Sequence, residues 1–144
     1  MPAPARIDPY RNFRFVVDID GNRAGFTSVS GLAAEAEVIE YREGWDGLSS
    51  TRKLPGRIKY PNVTLRRGVT TDRFLWDWWK MILAGTVQRR NVGIILLDDD
   101  RNEVLRWSLN EAWIVKIEVS DLDAEGNEVA IESIELAHEG LELD

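Results

Sequence analysis

Phe13-Arg14-Phe15-Val16-Val17-Asp18-Ile19-Asp20-Gly21-Asn22 decides the fold class. Phe13, Phe15, Val17 and Ile19 alternate with Arg14, Val16, Asp18 and Asp20. Side chains of a strand point alternately to its two faces, so this period of two marks a half-buried strand. Gly21-Asn22 then reads as a tight turn. The same signal recurs outward along the chain. A second short strand is expected from Ala24 to Val29, broken by Ser30-Gly31. From Ala33 to Tyr41, Glu35, Glu37 and Glu40 are set among Ala36, Val38, Ile39 and Tyr41. Residues 91–97 form a further run, closed by the turn Asp98-Asp99-Asp100-Arg101-Asn102. Residues 103–116 follow, with Leu105, Trp107, Leu109, Trp113 and Val115 on one parity. After a polar turn at 121–127, the last strand spans 128–138. Its apolar phase slips from Val129 and Ile131 to Ile134 and Leu136.

Two stretches depart from simple alternation. Residues 58–67 read as a strand with a bulge at Pro61, which cannot donate a ladder hydrogen bond. After Gly68 the period changes to that of a helix. Phe74, Leu75, Trp78, Trp79, Ile82 and Leu83 make one broad apolar stripe. Thr70 or Thr71 supplies a cap, Asp72 suits the first turn, and Gly85 ends the helix. Trp76 lies off this stripe, which hints at a partner surface. The fold class is therefore mainly β. It is an antiparallel barrel or sandwich of about seven or eight strands with one flanking helix at about 70–84.

The 144 residues suffice for one domain, expected to span 1–144, with a core of its own. Apolar residues make up 44% and charged residues 30%, a balance that excludes disorder. No window reaches the length of a membrane-spanning helix, and the N-terminus carries no secretory signal pattern. Cytoplasmic assembly of a soluble chain is expected. With 25 acidic against 18 basic residues, the net charge of −7 argues against a nucleic-acid binder, which needs clustered Lys and Arg. The chain has no cysteine, which removes disulfides and thiol nucleophiles.

Chemistry is thinly represented. His138 is the lone histidine, and no nucleophile-elbow serine accompanies it. The expectation is a hydrogen-bonded strand histidine and no catalytic residue. Gly21, Gly25 and Gly31 are spaced wrongly for a phosphate-binding loop, so no cofactor is expected. Asp121, Asp123, Glu125, Gly126 and Glu132 come near a calcium-loop pattern. Its flanks read as strands where that loop needs helices. A polar hairpin is preferred, and a calcium-binding β-sandwich module is the alternative function.

Residues 43–56 read as a long loop. Trp45 and Leu48 are left in it, as on a surface that another chain covers.

Several stretches read together. The opening has Asp8-Pro9-Tyr10, Asn12-Phe13-Arg14-Phe15-Val16-Val17, Gly25-Phe26 and Val29-Ser30-Gly31-Leu32. The middle has Glu37-Val38-Ile39-Glu40-Tyr41-Arg42-Glu43-Gly44, Arg52-Lys53-Leu54-Pro55-Gly56 and Asn62-Val63-Thr64-Leu65-Arg66-Arg67-Gly68. The end has Glu132-Ser133-Ile134-Glu135-Leu136-Ala137-His138-Glu139-Gly140-Leu141. In these stretches, in this order, the chain resembles the contractile-phage tail tube family. The family also includes inner tube proteins of phage-like extracellular injection particles and is similar in fold to the Hcp tube protein. The resemblance implies a structural subunit, not an enzyme, in hexameric rings stacked into a conduit. Strands of neighbouring subunits would join into the lumen wall. The implied partners are further copies, a contractile sheath, baseplate, spike and capping proteins, and a protein or DNA cargo. Release of the resulting particle from the cell is compatible with this reading. On this reading the 43–56 loop reaches the next ring through Gly44, Trp45, Leu48, Arg52, Lys53 and Leu54. Glu35 and Glu37 face the lumen, and residues 1–11 form a flexible arm.

Overall fold

A computed structural model describes residues 14–42, 44, 52–126 and 128–144. The expected arm at 1–11 and the strand position of Phe13 lie outside the described residues. The alternation becomes β1 (Phe15–Ile19), with Val17 and Ile19 buried. β1 turns into β2 (Asn22–Ala24) through Asp20 at φ 49° and Gly21 at φ 90°. Two successive positive φ values fit the two-residue hairpin turn whose twist matches its strands. The turn thus falls one residue before Gly21-Asn22, and the Asp18 carboxylate accepts the Gly21 N–H at 2.7 Å.

The remaining elements are β3 (Ser28–Ser30), β4 (Glu35–Tyr41), β5 (Arg52–Lys59), β6 (Val63–Gly68), α1 (Phe74–Leu83), β7 (Arg90–Leu97), β8 (Glu103–Val119), β9 (Ile131–Ala137) and β10 (Gly140–Leu143). The main sheet runs β2-β1-β7-β8-β9-β6-β3, with β10 beside β8; β4 and β5 form a sheet of their own. Two segments carry the chain round the corners. β2 and β3 are separated only by Gly25, Phe26 and Thr27, so one extended stretch leaves β1 and joins β6. β8 pairs with β7 as far as Ala112 and with β9 from Trp113 onward. The circuit therefore closes into a barrel. It is filled by Val17, Val63, Leu65, Leu109, Ile114 and Leu136 among others.

Among the described residues the main sheet holds eight strands, as expected, and β4–β5 is a separate pair beside it. Residues 58–67 are not one bulged strand. β5 ends at Lys59 and β6 begins at Val63, with Pro61 in the break. Nor does β8 keep one parity. Its buried residues are Leu109, Ala112 and Ile114, because Glu111 adopts φ 53° and shifts the phase. Trp113 and Val115 are thus not in phase with Leu109. The slip expected in the last strand is absent from β9. Glu132, Ile134 and Leu136 are buried in strict alternation, and Glu132 is the disguised inward residue.

α1 adds Leu75 and Trp78 to the barrel core. It starts later than expected because Thr70 and Asp72 build the approach. Thr70 Oγ1 accepts the Asp72 N–H at 3.0 Å, and Asp72 Oδ1 accepts the Phe74 N–H at 3.0 Å. The N-cap position falls to Arg73, which makes no side-chain cap, and not to Thr70 or Thr71; Asp72, just before it, takes the first helical N–H instead. Gly85, at φ 86°, closes the helix as expected. The Gly85 N–H bonds to the Ile82 carbonyl and the Thr86 N–H to the Met81 carbonyl, the double bond of a glycine-terminated helix.

Candidate functional site: an outboard hairpin, its neck and the opposite end

β3–β4 and β5–β6 are the two arms of one long hairpin. From Ser28↔Arg66 and Ser30↔Thr64 to Glu35↔Lys59 and Ala36↔Ile58, each step forward on one arm matches one step back on the other. The inner part belongs to the barrel wall. The outer part, β4–β5, stands clear of it, and every residue of β4 is exposed. Beyond Ala36 the register shifts, with Gly56 and Arg57 facing Glu37 before Val38 meets Pro55. Such a bulge suits Pro55, which has no N–H to give a ladder.

This geometry sorts the expected interface residues. Arg52, Lys53 and Leu54 are not loop but the first residues of β5, opposite Tyr41, Glu40 and Ile39. Residues 52–56 of the expected 43–56 loop are thus strand. Gly44 is an exposed turn residue, and Trp45 and Leu48 lie outside the described residues. Glu35 faces Lys59 across the hairpin, and Glu37 Oε1 lies 2.6 Å from Lys59 Nζ. Val38 is 62% exposed and Ile58 52%, although both belong to an apolar cluster with Ala36 and Pro55 on one face. A two-stranded sheet cannot sequester such residues alone.

The neck between the two parts is fixed by three devices. Gly31 adopts φ 90°, and a Cβ there would overlap the Asn62 carbonyl oxygen. His138 Nε2 lies 3.2 Å from the Pro61 carbonyl, and His138 Nδ1 lies 3.1 Å from the Gly140 carbonyl. The Tyr60 ring packs 5.5 Å from the imidazole. His138 is therefore the hydrogen-bonded histidine that was expected, tied to the root of the hairpin.

At the other end of the same wall, β8 turns into β9. Leu122 is 77% exposed and Val129 75%. Asp123 Oδ1 accepts the Glu125 N–H at 3.0 Å, an ordinary turn contact. The calcium alternative fails here for a physical reason. Glu132, its last ligand, is 2% exposed and turned inward. It accepts Arg67 Nε at 3.0 Å, Arg67 Nη2 at 2.9 Å and the Trp76 indole N–H at 3.2 Å. Among the described residues no cluster of acids or histidine is arranged to hold a metal. Trp76, expected at a partner surface, is likewise occupied within the chain. The pairing of Arg67 with Glu132 has no sequence signal beyond their residue types.

The opposite face of the barrel has a shallow depression of about 190 Å³ beside Asp18, Gly93, Arg106 and Ser108. Arg106 fills its charge balance. The Glu103 carboxylate at 3.0 Å raises its guanidinium above the ordinary value, with Asp18 at 3.9 Å adding to the effect. The site has no histidine and no activated nucleophile.

Among the described residues the fold is thus a closed β-barrel with one flanking helix and a solvent-exposed hairpin. Residues 11–142 match the family of the T4-like virus tail tube protein gp19, and the chain belongs to that family. Two solved structures are close in both sequence and fold. One is the sheath-tube complex of an extracellular contractile injection system, PVC, in its extended state. The match is 30% identical, covers 94% of this chain and 91% of that one, and has a TM-score of 0.85. The other is the anti-feeding prophage cap, AFP, which terminates a tube. It is 27% identical, covers 99% and 95% of the two chains, and has a TM-score of 0.89. Hcp1 from Flavobacterium johnsoniae, at 12% identity, covers 90% and 93% with a TM-score of 0.58 and shares the fold. No curated protein sequence matches significantly.

Proposed function

We propose that this chain is a subunit of the inner tube of a contractile injection machine and performs no catalysis. Six copies close a ring, and rings stack into a conduit for protein or DNA cargo. The observation that carries this reading is the β4–β5 hairpin, exposed on both faces, apolar in part and continuous with the barrel wall. Exposed strand edges are an aggregation hazard unless a partner covers them. Here the wall of β3, β6, β9 and the second half of β8 ends in two such edges. Joining one copy's β3 edge to the next copy's β8 edge at residues 113–119 removes both and closes a ring.

The outward face of that wall carries Thr64, Arg66, Lys116, Glu118, Ser133 and Glu135 and would line the conduit. Lys116 sits 3.0 Å from Glu118, whose hydrogen bond raises the ammonium above its ordinary value. Glu35 and Glu37, exposed on β4, would face the conduit beyond this wall. Assembly takes place in the cytoplasm, with a sheath outside the tube, a baseplate and spike at one end and a cap at the other. The particle is then released.

The test is negative-stain electron microscopy of the purified chain beside particles from the source cells. Hollow tubes or six-membered rings support the reading. A monomer absent from every particle refutes it. Replacing Glu35 and Glu37 by Gln should leave assembly intact and alter cargo passage.

A further inference from the structure

The ring of His138, the chain's single histidine, is set between two acceptors. Nε2 lies 3.2 Å from the Pro61 carbonyl oxygen, and Nδ1 lies 3.1 Å from the Gly140 carbonyl oxygen. A carbonyl oxygen only accepts. A neutral imidazole has one N–H and one bare lone pair, whichever tautomer it adopts. It can serve one of these carbonyls and must turn its lone pair on the other. The imidazolium carries two N–H groups and serves both.

The two carbonyls belong to different parts of the fold. Gly140 opens β10, which β8 holds through four pairs from Gly140↔Asn110 to Leu143↔Trp107. The Glu139 N–H is bonded to the Asn110 carbonyl at 2.9 Å, so this side of the ring is fixed to the barrel. Pro61 lies at the root of the outboard hairpin. There residues 31–34 and 60–62 belong to no strand, and the chain crosses them on its way out of the barrel. The charged groups around the ring have other partners. Glu139 pairs with Arg89 at 2.9 Å, Lys59 with Glu37 at 2.6 Å, and Glu142 accepts the Asn110 amide at 3.3 Å. Glu35, opposite Lys59, and Glu111 are exposed. Tyr60 packs its ring against the imidazole at 5.5 Å. Among the described residues no carboxylate pairs with the imidazole itself. The response of the ring to protons is therefore set by the two carbonyls.

We propose that His138 is a proton-operated pin for the neck. As the imidazolium it ties the root of the hairpin to the barrel through both carbonyls. On deprotonation it keeps Gly140 and releases Pro61. The Gly140 contact spans two residues and is part-buried, so it orders little chain. The Pro61 contact spans 77 residues and is exposed, so water can take the place of the ring. The sign follows from linkage. The second contact is present in acid and is lost as pH rises through the imidazole titration. Acid stiffens the presentation of the hairpin, and alkali loosens it.

The test uses the full-length chain, dilute enough to be monomeric. With one histidine, the ring N–H signals in nitrogen-15 spectra are unambiguous. At about pH 5.5 both ring N–H groups should be seen, and at about pH 8.5 Nδ1–H alone. Hydrogen exchange is corrected for its intrinsic pH dependence and referred to β7. Residues 28–35 and 59–64 should open about tenfold more readily at the higher pH, the worth of one charge-assisted hydrogen bond. His138→Gln has no titrating ring and should show no such rise. Equal protection of the wild-type neck at both pH values would overturn the proposal. So would the same rise in His138→Gln, or Nε2–H in place of Nδ1–H at the higher pH. If His138→Gln does not fold, the wild-type spectra and exchange decide alone. Assembly enters none of these readings, so the tube reading stands or falls separately.

Discussion

Removing the Glu132 carboxylate should damage the barrel as much as truncating a large core side chain. In Glu132→Ala the Arg67 guanidinium stays 4% exposed and loses its hydrogen bonds at 2.9 and 3.0 Å. Asp72 remains at 3.5 Å, but its side chain is half exposed and screened, so it compensates little. Phe26 contributes only a cation–π contact, with Arg67 5.4 Å from the ring centroid. Breaking a buried pair by deleting one partner costs about 3–5 kcal/mol. The orphaned Trp76 indole N–H adds about 1 kcal/mol within that range. At this chain length each kcal/mol lowers the melting temperature by about 2–4 °C, so the variant should melt about 6–20 °C below the wild type. Urea unfolding followed by tryptophan fluorescence measures the loss. The protein must be dilute enough to sediment as a monomer, because assembly would add stability by mass action. Replacing both partners, Arg67→Met with Glu132→Leu, should recover most of the loss, since an apolar pair strands no charge. A loss under about 1 kcal/mol in Glu132→Ala, or a double variant as unstable as the single, would refute the reasoning.

The neck and the turn give three further tests. His138→Ala should cost the barrel only about 1 kcal/mol, for a hydrogen bond and its packing on Tyr60, yet lower tube yield severalfold. Paired melting curves and micrographs separate the two effects, and normal tubes would show that the neck needs no pin. Gly31→Ala and Gly85→Ala share a left-handed φ, but only Gly31 has a carbonyl where the methyl would go. Gly85→Ala should cost about 1–2 kcal/mol and Gly31→Ala clearly more; equal losses in chemical denaturation would dismiss the clash. Calcium at 10 mM should leave the melting temperature unchanged. A site with a Kd near 1 mM would add about 1.4 kcal/mol, a shift readily seen by calorimetry.

Much of the fold was legible because burial and alternation coincide. Phe15 to Ile19 reads as a strand because a barrel wall buries one face of it, and the stripe from Phe74 to Ile82 reads as a helix for the same reason. Legibility ended where one residue broke its type. Glu111 takes a left-handed φ without being glycine or asparagine, so the phase change in β8 had no local signal. Glu132 is an acid at an inward position, stabilised by an arginine 65 residues away, so its strand looked phase-shifted and its loop looked metal-binding. Pro61 correctly marked an irregularity, but only pairing shows that the register runs through it. Arg52, Lys53 and Leu54, expected in a loop, are strand instead. Exposed apolar residues look alike in a loop and in a partnerless strand.

The matching register of the two arms from Ser28↔Arg66 to Ala36↔Ile58 also has a mechanical meaning. A pull along β4–β5 is directed along the strands and not across them. It enters the barrel through β3 and β6, and β6 is bonded to β9 over six successive positions from Val63↔Leu136 to Gly68↔Ile131. These bonds lie perpendicular to the strands and are loaded together in shear. They would have to fail collectively, whereas a force applied sideways could unzip them singly. On the proposed tube reading, the wall is therefore stiffest along its strands, the direction in which a load on the hairpin enters it.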